Sequence, residues 1–353
     1  MFTAPSIPIV QGPMLGASGV ELAAAVSRAG GLGSLAAAGL TAPVMRDAIR
    51  AIRAATDKPF LVNIFVLESA SPDPAVVTSA IERLRPWRER YGLPPQTTPA
   101  KWAESFAEQF DVMLDERPPF VSFTFGILSR AQVEALQARG SRVIGTATTL
   151  AEARAWAAVG ADAICAQGFE AGGHRGTFLK DVSESLVGTV SLTRSIVASL
   201  DIPVIAAGGI TDGAGVAAIL ALGAAAAQIG TAYLLADEAL TSAVWRKAIS
   251  EAGDDPTRLT RAISGRYARG IDNEFMRAMR PVEADIPAYP VQNALTQELR
   301  AAATKANSPD VLSLWAGQSV GLARAGKAAD ITTNLWRDAR DIMRANARRW
   351  AGD

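Results

Sequence analysis

Histidine and cysteine, the side chains behind most transition-metal sites and much nucleophilic catalysis, are nearly missing from this sequence. His174 and Cys165 are the only ones in 353 residues. A single cysteine excludes an internal disulfide and fits a reducing, cytoplasmic setting. Because Cys165 lies in an apolar run, it reads as a small core residue rather than a nucleophile. With one histidine and one cysteine, no metal site is expected. Net charge is missing too, since 35 Lys+Arg balance 35 Asp+Glu; nothing argues for nucleic acid or an anionic membrane as a partner. The start, Met1-Phe2-Thr3-Ala4-Pro5, lacks the basic and apolar regions of a signal peptide. One charge-free stretch, Gly213 to Ala236, is long enough to raise a membrane span. It is interrupted by Gly215, Gly223 and Gly230 and carries Gln228, so a buried helix followed by a buried strand is the better reading. There is no Walker A sequence and no Gly-x-Ser-x-Gly elbow.

What is present is a folded-protein composition, 49% hydrophobic and 20% charged, arranged in a repeat. Apolar runs at Ile7–Val10, Gly31–Ala36, Phe60–Phe65, Phe120–Phe125, Val143–Ala147, Ala163–Ala166, Pro203–Ala207 and Ala226–Ile229 alternate with segments of helical spacing. That alternation predicts a parallel sheet with crossover helices, and eight units predict closure into a (β/α)8 TIM barrel. Gly31-Leu32-Gly33-Ser34-Leu35-Ala36 matches the dinucleotide fingerprint only superficially, because it opens a strand rather than a helix. The expected organisation is a barrel over residues 1–238 with a helical insertion at about 71–119. A small helical cap on the substrate side follows over 239–306, and residues 307–353 return to the barrel through a helix at about Thr332–Trp350. Long inserts in such loops commonly form lids, which is the expectation for 71–119.

In such barrels chemistry sits at the carboxyl ends of the strands, where Met14, Asn63, Gln167, His174, Gly209 and Gln228 fall. The sole histidine rides on a glycine-rich loop, Gly168 to Gly176. An imidazole there suits general acid–base work; the plainer alternative is a histidine that hydrogen-bonds its own loop. The turns Gly208-Gly209 and Gln228-Ile229-Gly230-Thr231 have the character of a barrel phosphate site, with backbone N–H groups facing an anion. Asn63 and Gln167 could hydrogen-bond a polar heterocycle, and Gly172 would permit its close approach. Flavin mononucleotide fits this arrangement, and a sugar phosphate is not excluded.

Several stretches taken together narrow this. Gln11-Gly12-Pro13-Met14, Val62-Asn63-Ile64-Phe65, Ser122-Phe123-Thr124-Phe125-Gly126 and Gln167-Gly168-Phe169-Glu170-Ala171-Gly172-Gly173-His174-Arg175-Gly176 resemble the ordered motifs of nitronate monooxygenases, formerly called 2-nitropropane dioxygenases. Ala206-Ala207-Gly208-Gly209-Ile210, Gln228-Ile229-Gly230-Thr231-Ala232 and Trp315-Ala316-Gly317-Gln318 continue the resemblance, the last pointing to the class I group. The resemblance implies noncovalent FMN contacted by Asn63, Gln167, Gly172, Gly209 and Gln228, Ile229, Gly230 and Thr231, with Met14 beside it and His174 catalytic. It implies oxidative denitrification of alkyl nitronates, such as propionate 3-nitronate, with O2 to a carbonyl product and nitrite. His174 would take the α-proton of a neutral nitroalkane or partner the nitro oxygens of a nitronate. Arg266, Arg269 or Lys305 are candidates to hold an anionic substrate, against the reading that each is a solvated surface charge. Two places depart from the motifs: Ile64 stands where leucine is usual, and Leu67 where a polar residue or histidine is expected. An FMN-dependent reductase that oxidises NAD(P)H and acts on quinones or enoyl thioesters is the alternative. The protein is expected to be a monomer or homodimer.

Overall fold

The structure is a computed structural model and describes residues 4–350. Through the first part of the chain, strands and helices alternate as β1 (Ile9–Gln11), α1 (Val20–Arg28), β2 (Gly33–Ala36), α2 (Ala42–Ala55), β3 (Phe60–Phe65), α3 (Pro74–Arg90), α4 (Phe106–Glu116) and β4 (Phe120–Thr124). They continue as α5 (Arg130–Ala138), β5 (Arg142–Ala147), α6 (Leu150–Ala158), β6 (Ala163–Gln167), β7 (Gly173–His174), α7 (Thr189–Ser199), β8 (Val204–Ala207), α8 (Gly213–Ala221) and β9 (Ala226–Ile229). Eight of these strands form one parallel sheet in the order β1-β9-β8-β6-β5-β4-β3-β2. A parallel bridge between Val10 and Leu32 joins its two ends, which makes the sheet a (β/α)8 TIM barrel without free edges.

The period-two alternation of strand side chains decides what each residue does. On β6, Ala163 and Cys165 face the barrel interior, while Ile164 and Ala166 pack outward under the helices. Val10, Leu32, Leu61, Ile144 and Ile205 fill the rest of the interior. Gln167 comes next on the inward face, at the strand's carboxyl end. Helix starts are fixed locally: Ser129 makes a reciprocal capping box with Gln132, and Thr149 caps the backbone of Glu152.

The stretch at 71–119 divides into two unlike halves. Helix α4 packs against α2 and α5 as the barrel's own helix. Arg46, Arg50 and Arg53 of α2 converge on Glu116 of α4 at 3.0, 2.8 and 3.2 Å. Helix α3 instead leaves the barrel, burying Val77, Ala80 and Leu84 in the apolar core of the cap.

Beyond β9 the chain forms α9 (Ala243–Ser250), β10 (Thr257–Thr260), β11 (Ala268–Ile271), α10 (Glu274–Met279), α11 (Val291–Leu295) and α12 (Gln297–Lys305). The cap is therefore mixed, not purely helical as expected. β10 and β11 pair antiparallel, and β11 pairs in turn with β7, so that Ala268 faces His174 in register. Neither strand carries a clear alternating pattern, and its third partner lies far away in sequence. Helix α13 (Ala328–Trp350) then packs against α8 and α1, filling the eighth helix position of the barrel. Among the described residues no helix is long and apolar enough to cross a membrane.

Candidate active site

A cavity of about 540 Å³ opens at the carboxyl ends of the barrel strands, beneath α11, α12 and the segment around Trp315. Its volume is that of a cofactor or small-ligand site. Met14, Asn63, Gln167, Gly172, His174, Gly209, Gln228, Gly230 and Thr231 all line it. Ile229 does not. The alternation that turns Gln228 inward turns Ile229 outward, where it is fully buried among Ile9, Leu22 and Tyr233. Its carbonyl accepts a hydrogen bond from Gly12 N at 2.7 Å, so its part is to hold the rim.

The floor is a ladder of small polar groups on adjacent strands. Asn63 Nδ2 donates to Ser122 Oγ at 2.9 Å and to Ser122 O at 3.2 Å, and Thr124 and Thr146 hydroxyls lie 3.3 Å apart. At the β8–β9 end the wall is backbone and hydroxyl. Gly208 and Gly209 have φ of +111° and +69°, conformations that side-chain-bearing residues rarely adopt. The hydroxyls of Thr211 and Ser319 are 2.6 Å apart, and Thr231 Oγ1 accepts from Gly317 N at 3.0 Å.

Two residues assigned to a ligand by sequence have protein partners. A Cβ on Gly172 would stand 2.5 Å from the carbonyl carbon of Ala316 and 2.6 Å from Gly317 N. The close approach that requires glycine is thus that of the chain's own returning segment. Gln167 donates from Nε2 to His174 O at 3.0 Å, while its Oε1 accepts from Gly176 N at 2.8 Å and Arg175 Nη1 at 3.2 Å. It lines the cavity and also pins the histidine loop. The buried Arg175 braces the same loop through Gly168 O and Ser185 O at 2.6 and 3.0 Å.

His174 sits in a collar of rings. Phe125, Tyr289 and Trp315 have centroids 5.5, 5.6 and 5.6 Å from the imidazole, and Phe65 lies at 6.2 Å. Phe125 reaches its place with φ of +78°, a strained backbone for a non-glycine residue. His174 Nε2 is 2.8 Å from Ser264 Oγ, and Ser264 Oγ donates to Arg266 O at 3.1 Å. A hydroxyl has one hydrogen. With that hydrogen committed to Arg266, Ser264 accepts from Nε2–H, and the imidazole keeps its lone pair on Nδ1. Burial, then the charges of Arg266 and Arg300, push the His174 pKa down to about 3. The free protein therefore holds a neutral imidazole across the physiological range.

None of the three cations proposed from sequence lines the cavity. Arg266 lies 4.0 Å over the Phe125 ring and donates to the carbonyls of Arg175 and Thr177. Arg269 is buried, 5.0 Å over Phe169 and bonded to its carbonyl at 3.2 Å. Lys305 is exposed at the end of α12. The guanidinium that does reach the cavity belongs to Arg300, which sequence reasoning missed along with Ser264 and Tyr289. A signal for Arg300 existed, because Asn293, Gln297, Arg300 and Thr304 recur at helical spacing. Of the two motif departures, Ile64 is buried in the outer layer and Leu67 lies outside the cavity wall.

A family model for nitronate monooxygenase matches residues 2–338. The chain belongs to the nitronate monooxygenase family. It is similar to the nitronate monooxygenase of Pseudomonas aeruginosa, with 44% identity over 94% of this chain and 96% of that one. Among solved structures, nitroalkane oxidase from Streptomyces ansochromogenes superposes with a TM-score of 0.90 at 39% identity, covering 97% of this chain and 98% of that one. FabK from Thermotoga maritima is more distant, with a TM-score of 0.76 at 30% identity over 97% and 95% of the two chains. Like the family as a whole, this nitronate monooxygenase homologue is an oxidoreductase.

Proposed function

We propose that this protein is an FMN-dependent nitronate monooxygenase that oxidatively denitrifies alkyl nitronates with O2, releasing a carbonyl product and nitrite. The family is one of flavoproteins. The observation that carries the reading is the placement of His174, tied through Nε2 to Ser264, collared by aromatic rings and set beside a glycine-rimmed cavity of flavin size.

The residues present fit FMN. Gly208, Gly209 and Gly230 leave the β8–β9 rim free of side chains, and Thr211, Ser319 and Thr231 offer hydroxyls there. That is a donor set for a phosphate held without a cation. Asn63 and Gln228 would offer amides to a heterocyclic ring, with Met14 beside it and Gln167, its oxygen already taken by the histidine loop, contributing one remaining N–H. Bound there, the flavin supplies the electron acceptor for the nitronate and the route to O2.

The chain's own residues handle the proton and the position. With a neutral nitroalkane, His174 takes the α-proton on Nδ1, and Ser264 holds the ring through the opposite nitrogen. With a nitronate no proton need be taken. The bound anion raises the affinity of Nδ1 for a proton; a proton taken up from water together with the substrate would let the ring donate to a nitro oxygen. The aromatic collar lowers the polarity around that contact and so strengthens it. Propionate 3-nitronate is the substrate we favour. A flavin reductase using NAD(P)H is the competing reading, supported by the likeness to FabK. The purified protein should be yellow. On anaerobic mixing, propionate 3-nitronate should bleach the flavin promptly and NADH should not; bleaching by NADH alone rejects our reading.

A further inference from the structure

Arg300 is the one residue bearing a formal charge among the described residues that line the cavity, and it has no carboxylate partner. Its Nη2 donates to Asn293 O at 2.9 Å and Asn293 Oδ1 at 3.0 Å. Its Nε is sealed from solvent with no acceptor at all. Burial moves its pKa down to about 10, so it remains a cation at neutral pH. A buried guanidinium with one N–H lacking an acceptor and no carboxylate beside it is costly to keep at a cavity. Arg175 and Arg266 donate to backbone carbonyls and lie outside the cavity wall, although Arg175 Nε likewise has no acceptor; what sets Arg300 apart is that it lines the cavity. Arg300 is held by Asn293 in a fixed pose, close enough to His174 to depress its pKa, with Gln297, Ala301 and Thr304 continuing the same wall outward.

From this we infer that Arg300 is the specificity residue for the substrate's far end. It receives the carboxylate of a nitronate whose reacting carbon faces His174. Asn293 is its positioning residue. A guanidinium fork is suited to two parallel hydrogen bonds with a carboxylate. The inference rests on the nitronate reading only for the choice of substrates.

The test compares two nitronates that differ in one group, propionate 3-nitronate and propyl-1-nitronate, using the purified holoenzyme. Wild type should prefer the carboxylated one. In Arg300→Met the ratio of the two kcat/KM values should fall by about 10- to 100-fold, the range of a charge-assisted hydrogen bond. Arg300→Lys, which keeps the charge but not the fork, should retain part of the preference, and Asn293→Ala should lose several-fold of it. Calorimetric titration with propionate should show binding to wild type that weakens by a similar factor in Arg300→Met. If Arg300→Met does not fold, the Arg300→Lys and Asn293→Ala ratios decide. A ratio unchanged in these variants overturns the assignment. So does an equal loss on both nitronates, which would place Arg300 at the nitro group. Arg300-dependent binding of propionate without turnover of either nitronate would sink the nitronate reading and leave the carboxylate site standing. Turnover of both nitronates with no preference and no propionate binding would do the reverse.

Discussion

At the β8 and β9 end the cavity wall is peptide backbone and hydroxyl; at the β7 and cap end it is imidazole, aromatic ring and guanidinium. The first end comes from a few short sequence segments. The second is assembled from residues as far apart as Phe65, Phe125, His174, Ser264, Tyr289, Arg300 and Trp315. The difference matches the two tasks proposed for the site. A phosphate is the same in every turnover and can be met by a rigid backbone turn. A substrate must be told from its analogues, and its proton must be moved, which needs side chains of tuned charge.

The contrast can be broken most sharply at the imidazole. His174→Ala should lower turnover of a neutral nitroalkane by about 100-fold or more, the usual worth of a positioned base. The loss on a pre-formed nitronate should be smaller, and flavin content unchanged. Steady-state kinetics on the two forms of one nitroalkane, with the visible spectrum, checks all three. On the backbone of the histidine loop itself, Gly172→Ala forces a methyl group into the Ala316–Gly317 backbone. It should cost about 1–3 kcal/mol of stability, as overpacking does, measured by thermal or urea unfolding.

A smaller effect is expected one bond away from the chemistry. Ser264→Ala leaves Nε2 of His174 without its acceptor and frees the ring to change tautomer. We expect about a 10-fold fall in kcat on neutral nitroalkanes with little change in KM, and recovery in Ser264→Thr. The mildest test uses pH. The folded-state pKa of His174 lies near 3 and the unfolded one near the ordinary 6.5. Between those values the unfolded chain binds more protons. His174 therefore subtracts stability as pH falls from about 6.5 toward 3, and costs nothing above that window. Urea midpoints across that range should slope less steeply in His174→Asn than in wild type.

Much of the fold was legible because each barrel unit carries its own signal. Phe60–Phe65 and Val143–Ala147 are apolar runs bounded by turns, and the helices between them show a buried stripe. The charge-free stretch from Gly213 to Ala236 reads correctly as a helix and then a strand, because its glycines and Gln228 fit no membrane span. The hairpin β10–β11 was not legible. Thr257–Thr260 and Ala268–Ile271 are short, and their pairing is completed by the histidine loop about 90 residues earlier in the chain. The site shows the same split. Residues on the inward phase of a strand end, such as Asn63 and Gln228, could be placed by alternation, and that alternation also explains why Ile229 does not belong with them. Arg266 and Arg269 are neither ligand-holding cations nor solvated surface charges; sequence shows a basic turn and not the carbonyls it faces. Ser264 and Arg300 act through geometry across the cap, which no local pattern encodes.

The position of α13 bears on how the molecule is made. The last place in the barrel's outer ring is filled by residues 328–350, translated only after the whole cap has emerged. On the ribosome the apolar flanks of α1 and α8 must wait uncovered through that interval. The closing helix is thus a separable piece of the barrel, and severing the link between cap and α13 should leave two fragments that recover activity only when mixed.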